Sequence, residues 1–308
     1  MFFILTLVNA AEIMEKIATP VSEVKTGEAF AELERSVYTV LETYSNVHRG
    51  SGHTSMVSTH LFDQARDIVL EYLGLKRGKY VVIFCTPRRE TILKSLIKPG
   101  KYKSISSQEI SLPLGVRAMV VDRKSLPEGS PFETGGGTTK LVAPGWVIWG
   151  DEPEKFEAGT PAIINIIAFT RALQLIKDSG DEVFRGSNGK RLNVTEILYN
   201  DGLKNYSGKE LLDELRQTLI GKGLTVPTTE GSKPFINLDN AASTPTFMPV
   251  WNTFCRTWDQ HKETFQEIIN EVRSICAGLL VAQLAEYDLI FTSNNKTTFT
   301  PAVSIIEI

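Results

Sequence analysis

The chain has 308 residues, 42% of them hydrophobic and 22% charged, enough apolar material for one large or two modest domains. A net charge of −3 gives no electrostatic case for nucleic acid or an anionic membrane surface as partner. Cys85, Cys255 and Cys276 lie far apart with no CxxC spacing, which argues against a disulfide scaffold or a zinc site and for a reducing, cytoplasmic setting.

The apolar start, Met1 to Val8, is too short to span a membrane. Helical spacing of apolar residues marks 11–43 and again 55–73, where Phe62, Ala65, Val69, Leu70 and Leu73 share one side. Between them lies a Gly/His/Ser-rich loop, 46–53. Tyr80 to Cys85 (YVVIFC) and Val116 to Val121 (VRAMVV) are short β-branched runs that predict buried strands, and Val147 to Trp149 predicts a third. Helices are expected at 90–97, 162–178 and 208–220. The alternation predicts an α/β fold with a mainly parallel sheet flanked by helices. The stretch from about 180 to 232 holds the charged helix at 208–220 between turn-rich ends, and those ends read as linkers. A repeat follows: in one register YVVIFCTPRRET (80–91) matches YDLIFTSNNKTT (287–298), each expected to be a buried strand and a polar turn after a helix.

Four segments carry a family resemblance. Asn46-Val47-His48-Arg49-Gly50, followed by Phe62-Asp63-Gln64-Ala65-Arg66, is the first. Phe132 to Thr138 (FETGGGT), Phe156 to Pro161 (FEAGTP), and Leu238 to Pro245 (LDNAASTP) complete the set. Together they resemble class V aminotransferases, a family that includes the cysteine desulfurases, over roughly 44–178 and 234–298. The resemblance implies fold type I, pyridoxal phosphate as cofactor, an amino-acid substrate and a homodimer. A desulfurase would also need a cysteine on a small-domain loop; Cys255 and Cys276 fall in predicted helices, and Cys85 ends a strand. Cofactor contacts implied by position are His48, Thr86, Thr138, Asn240 and Ser293.

Several positions depart from the family pattern. The segment Ser106-Ser107-Gln108-Glu109-Ile110-Ser111-Leu112-Pro113-Leu114-Gly115 aligns with the family's lysine segment, with Gln108 at the histidine and Glu109 at the lysine. A carboxylate cannot form a Schiff base. Pro87 removes an N–H from the turn that would cradle phosphate. The expected organisation is an N-terminal segment (1–29), an abbreviated aminotransferase-like domain (30–178), a linker or remnant small domain (179–232), and the start of a second such unit (233–308). The second copy stops soon after its phosphate-type turn, which reads as truncation from a longer tandem protein. Three functions stay open: an active enzyme acting on an amino acid, a non-catalytic scaffold or partner-binding module, and a piece of a longer parent.

Overall fold

In the computed structural model the described residues are 28–47, 52–184, 192–200, 202–238, 243–258, 260, 262–283, 286–289 and 291. They fall into two compact units, one within Met1–Gly189 and Gly202–Asp259, the other within Lys190–Asp201 and Gln260–Ile308.

The first unit is built on two helices, α1 (Ala29–Glu42) and α2 (His53–Tyr72), followed by strand β1 (Tyr80–Cys85). Helix α3 (Pro87–Leu96), strand β2 (Tyr102–Ser106) and strand β3 (Arg117–Asp122) come next. After a hairpin of β4 (Thr139–Ala143) and β5 (Trp146–Trp149), the long helix α4 (Ile163–Ser179) crosses back. The main sheet has the order β1-β3-β2, with Ile83 opposite Met119 and Ile105 opposite Ala118. Both pairings are antiparallel, so the expected mainly parallel sheet is corrected. Hydrophobic patterning reports burial but not strand direction, and β3 reaches the central place by returning through the short connection 107–116. Strand β2 escaped the sequence reading because YKSIS alternates and lies at an edge, half solvated, instead of forming a continuous apolar run.

The predicted helix faces hold. Phe62, Ala65, Val69 and Leu70 of α2 are buried in one core with Leu33 and Val37 of α1 and Phe169, Ala172 and Leu173 of α4, and α4 packs on both α1 and α2. A second apolar cluster on the other side of the sheet joins Val81, Ile83, Met119 and Val121 to Leu93 of α3 and to Phe156. The run at 147–149 does form a strand, but in a separate exposed hairpin with β4. Described helices include none long and apolar enough to cross a membrane.

The helix expected at 208–220 forms over Gly208–Gln217, and the segment around it carries further structure. Helices α5 (Val194–Leu198) and α6 (Gly208–Gln217) and the hairpin of β6 (Thr225–Thr228) and β7 (Gly231–Pro234) lie in it. Helix α7 (Met248–Trp258) follows and adds Trp251 and Trp258 to the main core. In the second unit, α5 packs on α8 (Lys262–Leu279) and is held by a capping box between Asn193 and Glu196. The strand expected in the second copy is corrected over its described part: 286–289 and 291 form none, and Tyr287 is 62% exposed. Tyr80 to Cys85 has β3 beside it to satisfy its backbone; no described strand offers the same to Tyr287. Residues 292–298 of that copy lie outside the described residues.

A close backbone contact also ties the later segment to the core of the first unit. Gly221 sits at φ +77° against the end of α1, where an added Cβ would lie 2.4 Å from the Glu42 carbonyl oxygen. Gly223 has φ +83° but open space around it. Gly223→Ala is therefore expected to cost only left-handed strain, about 1 kcal/mol, and Gly221→Ala clearly more, on the order of 3 kcal/mol. Urea denaturation of the two variants side by side checks the difference.

Candidate functional site

Three of the four sequence motifs meet around one cavity of about 320 Å³. Asn46 and Val47 come from the loop before α2, and Phe62 from that helix. Gly136 and Gly137 come from the glycine run, and Glu157, Gly159, Thr160 and Pro161 from FEAGTP. The run can lie this close because it lacks side chains: a Cβ on Gly135 would meet Ala158 Cβ at 3.4 Å, and the Gly159 N–H donates to the Gly136 carbonyl at 2.9 Å. Gly137 takes φ +89°, a conformation open to glycine.

In the cavity wall is a buried ion pair between residues of two of the motifs, Arg66 and Glu157. Arg66 donates to Glu157 at 2.7 Å and to Asp63 at 2.9 Å, and its guanidinium lies 4.5 Å from the Phe62 ring centre. The other Glu157 oxygen accepts the Phe84 backbone N–H at 2.7 Å. One carboxylate thus ties α2, the β1 backbone and the FEAGTP loop together. A signal was present in the sequence: Arg66 is four residues after Phe62 and next to Ala65, a cation within the apolar stripe of α2. Burial raises the Glu157 carboxyl from the ordinary 4.5 to about 7, against the opposing pull of the Arg66 charge and the Phe84 N–H.

Helix α3 is fastened beside it. Arg89 pairs with Glu133 at 2.7 Å and donates to the Ala158 carbonyl at 2.5 Å. Buried Glu90 pairs with Lys94 at 2.7 Å and Arg117 at 3.0 Å. Despite burial, hydrogen bonds from Lys94 and Ser104 and the nearby Lys94 and Arg117 charges hold its carboxyl below the ordinary range.

The residues singled out from sequence are placed as follows. The Thr86 hydroxyl caps α3, accepting the Arg89 N–H at 3.4 Å, with Pro87 in the first turn. Thr138 is fully buried, and its hydroxyl donates to the Gly135 carbonyl at 2.7 Å inside the glycine turn. Glu109 and Gln108 are exposed on a short 3-10 turn, Ser107–Ile110, where Ser106 donates to Glu109 at 2.9 Å. Neither lines the cavity. His48, Asn240 and Ser293 lie outside the described residues. His53 opens α2, half-buried, and burial lowers its affinity for a proton. Cys85 is a core thiol pushed up to about 12 by burial, and burial raises Cys255 as well.

The described lining does not fit lysine-bound pyridoxal phosphate. It holds no lysine or other cation, and its carboxylate Glu157 is already held by Arg66 and the Phe84 N–H. The cofactor attaches through a lysine amine, which this lining does not supply. The N–H groups at the start of α3 are partly taken by Thr86, and the nearby Arg89 is held by Glu133.

The ion pair yields two expectations. Glu157→Leu leaves the Arg66 guanidinium buried without its main partner and should cost about 3–5 kcal/mol, while Arg66→Met and Glu157→Leu together should cost less than the sum of those two singles. Urea denaturation of the four-member cycle checks this. Because folding raises the Glu157 pKa, the stability linked to its proton is present below pH 4.5 and lost as pH rises through about 7. The stability of the native chain relative to Glu157→Gln should therefore fall by on the order of 3 kcal/mol between those limits. Denaturation curves of both proteins at four pH values measure it.

Residues 102–216 match the family model described as Aminotransferase class-V. A probable cysteine desulfurase of Staphylococcus epidermidis is 31% identical over 110 residues, covering 34% of this chain and 26% of that protein. One from Halobacterium salinarum is 33% identical over 99 residues, covering 32% and 23%. The chain thus spans about a quarter of the length of these curated relatives. An apo cysteine desulfurase structure from Thermococcus onnurineus NA1 overlaps 54% of this chain and 67% of that one, at TM-score 0.42 and 16% identity. Residues 102–216 are thus similar to class V aminotransferases, and about a third of the chain is similar to proteins named as probable cysteine desulfurases.

Proposed function

We propose that this chain is a catalytically degenerate class V module, a scaffold or partner-binding unit of a longer tandem protein, that forms no lysine-bound pyridoxal phosphate. The observation that carries the reading is the cavity where the family motifs converge: its described lining is acidic and lacks a lysine, and the residue aligned with the family's lysine is Glu109, exposed on a separate turn. Two cysteines speak against desulfurase chemistry in the same direction. A thiolate is the reactive form, and burial disfavours it at both Cys85 and Cys255. The tandem part of the reading rests on Leu238 to Pro245, a stretch like the family's opening motif that here follows the helix after FEAGTP.

The similarity to proteins named as probable cysteine desulfurases favours a second reading, an active enzyme on an amino acid, and one experiment separates the two. The purified chain is incubated with pyridoxal phosphate, reduced with borohydride and digested for mass spectrometry. No stoichiometric lysine adduct is expected, and no sulfide should be released from cysteine. A single lysine modified in one-to-one yield, together with sulfide release, would sink the degenerate reading.

A further inference from the structure

Three turns meet at one end of the main sheet. Lys79 immediately precedes β1, Lys101 immediately precedes β2, and Arg123 immediately follows β3. The order β1-β3-β2 sets them side by side: the Arg123 N–H donates to the Lys79 carbonyl at 3.0 Å, and the Asp122 N–H to the Lys101 carbonyl at 2.9 Å. Each turn supplies a second cation. The Lys79 N–H donates to the Lys76 carbonyl at 3.1 Å, the Lys101 N–H to the Lys98 carbonyl at 3.2 Å, and Lys124 follows Arg123. All six residues are exposed, and among the described residues none has a carboxylate partner. Arg77, in the first turn, is paired with Asp67 at 2.9 Å. The carboxylate within these turns, Asp122, is buried and accepts the Lys124 N–H at 3.1 Å. The chain's net charge of −3 hides this cluster, because a partner meets charge where the fold places it and not as a sum. Like charges side by side repel, so the cluster does nothing for the fold itself.

We infer that this end of the sheet is a nucleic-acid surface that binds the phosphate backbone without reading base sequence. Neighbouring strands lie about 4.8 Å apart, so three strand ends span about 10 Å. A duplex carries a phosphate about every 3.4 Å along each strand, so several of the six cations meet phosphates at once. Five of the six are lysines, point charges suited to phosphate. The arginine fork, which grips protein carboxylates and guanine edges, is present once, and this favours phosphate over an acidic protein or a chosen base. Binding to a membrane surface adds apolar side chains that enter the headgroup layer. Here Leu75 is half-buried, and Ile97 and Leu126 are buried. The surface lies at the other end of β1 from Phe84, whose N–H meets Glu157, so it does not depend on the chemistry of the cavity.

Fluorescence anisotropy of the full chain with two labelled 20-base-pair duplexes of unrelated sequence, from 50 to 200 mM salt, tests the surface. Both duplexes should bind alike at low salt, with affinity falling steeply as salt rises. Replacing Lys79, Lys101 and Arg123 together by Gln removes three phosphate contacts. Binding at 50 mM salt should weaken about tenfold or more, and the slope of log affinity against log salt should become shallower by about 3. Lys79→Arg with Lys101→Arg keeps the charge and should keep binding. Gln at Lys140, Lys209 and Lys222, exposed cations elsewhere, should change neither quantity. The inference is overturned if the native chain fails to bind either duplex at 50 mM salt and tens of micromolar protein. It is equally overturned if the triple Gln variant, with a native circular-dichroism spectrum, binds with unchanged slope. Tighter binding to phosphatidylserine vesicles or to a poly-glutamate peptide than to duplex, lost in the triple variant, would overturn it in favour of a membrane or an acidic protein.

Discussion

The Arg66–Glu157 pair is the constraint around which the first unit is arranged. Removing two charges from water costs several kcal/mol per ion, and that cost is offset only when geometry and further hydrogen bonds are good. Here Glu157 receives both the guanidinium and the Phe84 N–H, while Phe62 lies against the cation. The arrangement fixes three things at once. Helix α2 is held in register, the free side of β1 has an acceptor, and FEAGTP lies where the glycine run can reach it. Glu157 has partners on all sides, so its place in the cavity wall is that of a structural post as much as a reactive group.

Neighbouring contacts extend the same logic. Arg89 reaches from α3 to Glu133 and the Ala158 carbonyl, on either side of the glycine run in sequence. Arg171 of α4 donates to Glu32 and Ser36 of α1. Each joins elements distant in the chain through a buried or half-buried cation. Such networks specify an arrangement more than they stabilise it, since apolar replacements of similar volume often fold as well. On this scaffold three of the motif segments converge on one cavity whose described lining holds no lysine. Fold and activity are separable for this reason: backbone geometry and packing maintain the first, and a few side chains the second.

Much of this was legible from residues. The apolar stripe of α2, the β-branched runs of β1 and β3 and the periodicity of α4 reflect burial, which acts locally on spacing. The motif stretches could be recognised because glycines and a buried carboxylate satisfy demands of backbone approach and charge pairing that leave marks in the chain.

What sequence could not decide was pairing. Antiparallel order in the main sheet depends on which strands meet across a connection, and hydrophobic pattern carries no sign for direction. The run 147–149 looked like another core strand because composition alone does not distinguish a buried strand from an exposed one; only its partner, β4, and its distance from the main sheet did. Tyr287 repeats the sequence of Tyr80 without its fold, because a strand exists through its neighbours. The sequence by itself determined the family likeness, the helix faces and the absence of a lysine at position 109. The tertiary structure decided that Arg66 and Glu157 meet, that Thr86 and Thr138 spend their hydroxyls on local backbone, and that Glu109 stands outside the cavity. All three depend on contacts between residues far apart in the chain or on side-chain direction, and neither is encoded in spacing.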